Sequence, residues 1–156
     1  MAKNLLKKLL NYRDAGAACA NGGGFFAITY AIDLGVKALT GVNLNEYNFI
    51  QHGTTGLGAG TYAYRRIKAI VTENTGDERK GTAWGIAAGL IVGGALSLGW
   101  EYIENKAHVF EPKANPVLDT FLDHIALIGT SGGLAPAIEL AIKPYLKRKC
   151  LEKGYL

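Results

Sequence analysis

Apolar and polar positions follow one another in long blocks along this chain. Four apolar segments approach or exceed the length of about 20 residues that a helix needs to cross a membrane. The third, TAWGIAAGLIVGGALSLGW, contains no charged residue, whereas His52 and several threonines and glycines dilute the second. The pattern predicts an all-α fold, a four-helix transmembrane bundle. The four predicted spans are Ala15 to Leu39, Tyr47 to Val71, Thr82 to Ile103 and Val117 to Leu140.

The first 14 residues differ from these spans. Their leucines fall on one side of a helix, and Lys7 and Lys8 interrupt the apolar run. A signal peptide would show an uninterrupted apolar core followed by a small-residue cleavage site, so we expect a short amphipathic helix lying on the membrane surface. The predicted organisation is therefore an interfacial amphipathic segment (1–14), a four-span membrane domain (15–146) and a basic cytoplasmic tail (147–156).

Charge distribution sets the orientation. All but three of the 17 basic residues, Lys37, Lys106 and Lys113, fall on one side if the chain crosses four times. Basic residues mark the cytoplasmic side, so we expect a multi-pass protein of the cell membrane with both termini in the cytoplasm. This asymmetry disfavours the alternative of a soluble helical domain. The net charge of +4 does not indicate nucleic acid, because the basic residues form no face interleaved with aromatics.

Five ionisable side chains are expected at similar depth near the outer ends of three spans. Glu101 and Glu104 are three residues apart, and Asp119 and Asp123 are four apart, so each pair shares a helix face. With His52 they form a predicted site for a divalent cation, bound through oxygen and one imidazole nitrogen. In the alternative hypothesis, Asp123, Glu101 and His52 are catalytic, because crowded carboxyl groups cannot all ionise and one can act as an acid or base. Solvated carboxylates without a role are the third possibility, and Asp119 could simply favour the helix dipole.

The remaining polar positions and the glycines have simpler interpretations. Glu139 and Lys143 are four apart and predict a local ion pair, while Arg65 and Arg66 are expected to reach the inner headgroups. Asp33, in the outer half of the first span, could join the carboxylates. Cys19 and Cys150 match no metal or redox spacing and are expected to be free thiols. Glycines at four-residue spacing predict close helix approach, at Gly56 and Gly60 and at Gly85, Gly89 and Gly93.

The order NEYNFIQHGTTGLGAG, WEYIE and DTFLDHIALIGTSGG resembles the VanZ-like and YjdF-like small integral membrane proteins. The resemblance extends from Asn45 to Gly133. It implies that the histidine, the two glutamates and the two aspartates named above occupy the family's motif positions, with small residues at Gly129 and Gly133. VanZ-like proteins usually carry an asparagine shortly after the second aspartate, where this chain has Ala126 and Leu127, so the YjdF-like branch is closer.

These observations predict an envelope membrane protein with an outward-facing carboxylate and histidine site. Such a site would bind a divalent cation or act on a lipid or envelope precursor, so enzymatic activity stays open. One alternative is a non-enzymatic protein that binds or transports a cation or proton. Transport requires a polar path to the inner face, where the sequence offers only Glu139. The other alternative is a membrane scaffold without a chemical site.

Overall fold

The chain folds into four long helical rods. A computed structural model describes residues 10–43, 49–107 and 116–153, and within these ranges no residue belongs to a β-strand, which confirms the all-α class. The first three rods are single helices, and the fourth rod (residues 116–152) alternates α- and π-helical turns. The elements are α1 (Tyr12–Thr40), α2 (Phe49–Thr75), α3 (Glu78–Ala107), α4 (Pro116–Ile128), π1 (Gly129–Leu134), α5 (Ala135–Ala137), π2 (Ile138–Ile142) and α6 (Lys143–Glu152).

Local sequence explains where α1 and α3 begin. The side chain of Asn11 accepts hydrogen bonds from the backbone N–H of Arg13 and Asp14, which caps α1. Asp77 Oδ1 accepts hydrogen bonds from two backbone N–H groups at the start of α3. The link between α2 and α3 is short because Gly76 adopts a left-handed conformation with φ of 68°. These two rods therefore form an antiparallel hairpin.

The helices overlap the ends of the predicted segments. Residues 1–9 of the predicted interfacial segment lie outside the described residues, and Tyr12 to Asp14 already belong to α1. The predicted basic tail begins within α6, so the fourth rod continues past the end of the predicted membrane domain. The reason is that helical propensity and the ion pair from Lys149 to Glu152 extend the helix beyond the apolar segment.

Glycines determine how closely the rods approach. A Cβ atom added at Gly60, Gly89 or Gly93 would overlap Ser131 in π1. A Cβ atom added at Gly56 would likewise overlap Leu127 and Thr130, and one added at Gly85 would overlap Tyr64. The predicted close approach at these five glycines is confirmed. We call the meeting of Gly60, Gly89, Gly93 and Ser131 the glycine contact; here α2 and α3 both pack directly on the fourth rod.

The distribution of polar side chains is inverted relative to a water-soluble protein. Within the described ranges, seven apolar side chains are buried, including Pro136, whereas eight polar or charged side chains are buried. Large apolar side chains cover the outside instead, among them Ile28 and Ile32 of α1, Ile91 of α3 and Phe121 of α4. Soluble proteins bury their apolar residues and expose the charged ones. The bundle therefore presents an apolar surface around a polar interior.

Two helical stretches in the described ranges are long and apolar enough to cross a membrane: Glu78–Glu104 and Thr120–Glu152. They correspond to the third and fourth predicted spans. The first and second predicted spans form helices of sufficient length, α1 and α2, but do not reach the same apolar composition. Asn21 and the three glycines that follow it in α1, and the glycines and threonines of α2, account for this difference.

Candidate functional site

Three carboxylates meet where α3 approaches α4. Glu101 and Glu104 project from the same face of α3, and Asp123 projects from α4 toward them. One ligand oxygen of each lies within 4.8 Å of the other two. Asp123 is fully buried, and the two glutamates are half-buried. We call Glu101, Glu104 and Asp123 the carboxylate cluster.

His52 of α2 lies beside this cluster. Its Nε2 atom is 3.4 Å from Asp123 Oδ1, and its side chain is 6% exposed. The ring of Trp100 meets the imidazole edge to face, with centroids 4.9 Å apart. Trp100 thereby fixes the orientation of the ring that contacts Asp123. Three separate helices supply the histidine, the glutamates and the aspartate, so the arrangement depends on tertiary packing.

Two buried oxygen atoms next to the cluster lack a hydrogen-bond partner. They are Glu101 Oε1 and Ser97 Oγ, and Ser97 is only 1% exposed. Ser97 lies four residues before Glu101 and seven before Glu104, so all three share one stripe of α3. Buried polar groups are normally hydrogen-bonded, so these two oxygens on one stripe of α3 are candidate ligand atoms. Sequence reasoning missed Ser97; its spacing from the glutamates was the available signal.

The geometry suits a hard divalent cation. Oxygen atoms bound to one calcium ion at roughly 2.3–2.6 Å lie at most about 5 Å apart, and the cluster satisfies this limit. Three ionised carboxylates at such separations repel one another, and a cation between them removes the repulsion. His52 could add a nitrogen ligand or hold Asp123 in place through its Nε2 atom.

Other predicted site residues lie elsewhere or outside the described part of the chain. Asp119 falls in α4, but its side chain is not among those described. Asp33 is 5% exposed in α1 and is not a member of the carboxylate cluster. His124 Nδ1 lies 2.7 Å from the backbone oxygen of Thr120, an interaction within its own helix. Both cysteines are free, as predicted.

A second polar cluster lies nearer the other end of α2. Arg65 Nε donates to Asp14 Oδ1, and Arg65 Nη1 donates to Glu139 Oε2, each at 2.8 Å. Arg66 Nη1 donates to Asp14 Oδ2 at 3.1 Å, and Lys143 pairs with Glu139 as predicted. The expectation that both arginines reach for headgroups is wrong, because buried carboxylates from α1 and π2 hold them inside. We call these five side chains the Arg65 network.

Comparisons with known proteins give no family for this chain: no family model, no curated protein and no solved structure matches it.

Proposed function

We propose that this protein crosses the cell membrane four times, with both termini in the cytoplasm, and binds a divalent cation at the carboxylate cluster on the outer face. The inverted distribution of side chains supports a membrane location, because lipid is the environment in which an apolar exterior is stable. The two apolar stretches support it as well. The asymmetry of basic residues supports the orientation.

The observation that carries cation binding is the approach of three carboxylate oxygens to within 4.8 Å of one another, with Asp123 fully buried. Ionisable residues inside a membrane protein are costly and generally serve ions, protons or substrates. Carboxylate oxygens favour Mg²⁺, Ca²⁺ and Mn²⁺, and an imidazole nitrogen also suits first-row transition metals. Mn²⁺ accepts both ligand types and is the probe we select.

Action on a lipid or envelope precursor is the second candidate. The contact between His52 and Asp123 favours it, since an imidazole paired with a carboxylate can transfer a proton. The geometry favours binding, because three carboxylate oxygens within 4.8 Å of one another match the ligand set of a divalent cation. We also propose that the chain is related to the VanZ-like and YjdF-like proteins, and this relationship agrees with an envelope location.

Mn²⁺ binding to the purified full chain in detergent, followed by electron paramagnetic resonance, tests the proposed site. We expect Asp123→Asn and Glu101→Gln to weaken binding by at least about tenfold, since even residues supporting a metal ligand contribute that much. Ser97→Ala should weaken it by less. The matched control is Glu78→Gln, the same change at an exposed position of α3. Binding that is absent in the wild type, or unchanged in Asp123→Asn, would contradict the site.

Cysteine labelling tests the orientation. With Cys19 replaced by serine, Cys150 in α6 is the sole thiol of the chain. We expect a membrane-impermeant maleimide to label Cys150 in inverted vesicles but not in intact cells. Labelling of intact cells would place the carboxylate cluster on the cytoplasmic side.

A further inference from the structure

We propose that the protein transports the cation held at the carboxylate cluster, and that Asp14 and Glu139 form a second cation site, which the guanidinium of Arg65 fills in the conformation described here. The inference rests on the proposed function, because it takes the carboxylate cluster as the outer end of the route. The Arg65 network is then its closed inner end.

The proposed second site consists of the two carboxylates that accept hydrogen bonds from the Arg65 guanidinium. Asp14 and Glu139 come from different rods, and their side chains are 10% and 9% exposed. Each accepts a hydrogen bond from the same guanidinium at 2.8 Å. Asn21 Nδ2 donates to Thr61 Oγ1 at 3.0 Å and to Glu139 Oε1 at 3.4 Å. Two carboxylates therefore hold a tethered cation, and the Asn21 amide links one of them, Glu139, to Thr61. Carboxylate oxygens are groups that metal cations also bind.

Stability alone does not account for this arrangement. A buried ion pair contributes little net stability, because desolvation of the charges offsets their attraction. Ionisable residues inside membrane proteins instead mark the paths of ions and protons. A cavity of about 550 Å³, lined by Asp14, Arg65, Lys68 and Glu139 among others, adjoins the network. A cation that displaces Arg65 would have room there to regain water.

Buried hydroxyl groups lie between the two clusters. Along α2, His52 and Arg65 are separated by about 20 Å at 1.5 Å per residue. Ser97, Thr61, Thr130 and Ser131 are at least nine-tenths buried in the intervening part of the bundle. Thr130 and Ser131 donate to backbone carbonyls of their own rod, at Ala126 and Ile128. Their oxygen lone pairs stay available to a passing cation. The interior thus offers more polar groups than the single Glu139 apparent in the sequence.

The route is closed in the middle, which indicates a carrier and not an open channel. At the glycine contact, α2 and α3 leave no space beside Ser131 even for a methyl group. Passage therefore requires the fourth rod to shift against α2 and α3. The two π-helical segments coincide with the positions that must change: π1 contains Ser131, and π2 contains Glu139. Such irregular turns occur frequently at functional sites, and interrupted helices form cation sites in transporters.

Mn²⁺ entry into vesicles tests the inference. The full chain is reconstituted in phospholipid vesicles that contain calcein, whose fluorescence Mn²⁺ quenches. We expect Glu139→Gln to slow entry by at least about tenfold, because it removes one carboxylate of the second cation site. Asp14→Asn, which removes the carboxylate that α1 contributes to the same site, should slow Mn²⁺ entry in the same way. Glu152→Gln is the matched control, because Glu152 lies in the same rod but forms an exposed pair with Lys149; it should transport as the wild type does.

The outcomes separate the two proposals. If the wild type binds Mn²⁺ in detergent but vesicles gain it no faster than protein-free vesicles, transport is wrong and the binding site stands. If the wild type does not bind Mn²⁺, both proposals fail. If Glu139→Gln and Asp14→Asn both transport at the wild-type rate, the second cation site is wrong.

Discussion

The carboxylate cluster and the Arg65 network share the fourth rod and handle buried charge in opposite ways. In the Arg65 network, three basic side chains accompany two carboxylates, and every member has an ion-pair partner within the group. In the carboxylate cluster, three carboxylates converge beside one imidazole. Each region contains a buried polar atom without a hydrogen-bond partner, Glu101 Oε1 in the cluster and Arg66 Nε in the network. The comparison teaches that burial of acidic groups is not itself a functional signal. Our proposals differ for the two regions because the network includes three basic side chains, whereas the three members of the cluster are all acidic.

Removal of Arg65 should produce the largest contrast between the two regions. Arg65→Met leaves Asp14 and Glu139 buried without their shared cation, and we expect the free energy of unfolding to fall by about 3 kcal/mol, as for other broken buried pairs. This value is at the lower end of the range because the Arg65 side chain is 32% exposed, and because Asp14 and Glu139 keep Arg66 and Lys143 as partners. Asp123→Asn relieves repulsion in the metal-free cluster and should change stability by less than about 1 kcal/mol. Denaturant titrations in detergent measure both.

Lys149→Met is the control for Arg65→Met, because Lys149 forms an exposed ion pair with Glu152. Its loss should cost less than about 1 kcal/mol. The contrast between the regions would be broken if Arg65→Met and Lys149→Met were equally stable, or if Asp123→Asn were the least stable of the three.

A smaller effect is expected at the glycine contact, which separates the two regions. In Gly60→Ala the new methyl group would overlap the main chain of Ser131, and we expect a loss of about 1–3 kcal/mol from overpacking. Gly58→Ala adds the same group to the same helix, where it would meet only Ala18 O at 3.5 Å. The control should match or exceed wild-type stability, since alanine is the better helix former. Equal stability of the two variants would show that the rods are not in tight contact at Ser131.

The carboxylate cluster and the Arg65 network also differ in how far the sequence predicts them. Local periodicity indicates the four rods, the shared face of Glu101 and Glu104, and the pair of Glu139 with Lys143, because these features depend on residues a few positions apart. The approach of His52 to Asp123 was expected from the antiparallel order of the rods, and the structure places the two in contact.

The Arg65 network could not be predicted in this way. Arg65 meets Asp14 and Glu139 across 51 and 74 residues of chain. An arginine near the end of an apolar segment has an inexpensive alternative, which is to extend toward the headgroups. Only the packing of α1 and π2 beside α2 determines that the guanidinium turns inward. The π-helical turns have no periodic signature either, since one extra residue in a turn leaves the apolar pattern intact.

The contact of Trp100 with His52 gives the molecule an optical property. The chain contains two tryptophans, and Trp84 is 60% exposed near the start of α3. About 24 Å of helix separates it from Trp100, at 1.5 Å per residue. The indole of Trp100 meets the imidazole at a centroid distance of 4.9 Å. With Trp84 replaced by phenylalanine, intrinsic emission comes from one indole whose immediate neighbour is the histidine of the site, so the chain carries its own fluorophore where the cation is proposed to arrive.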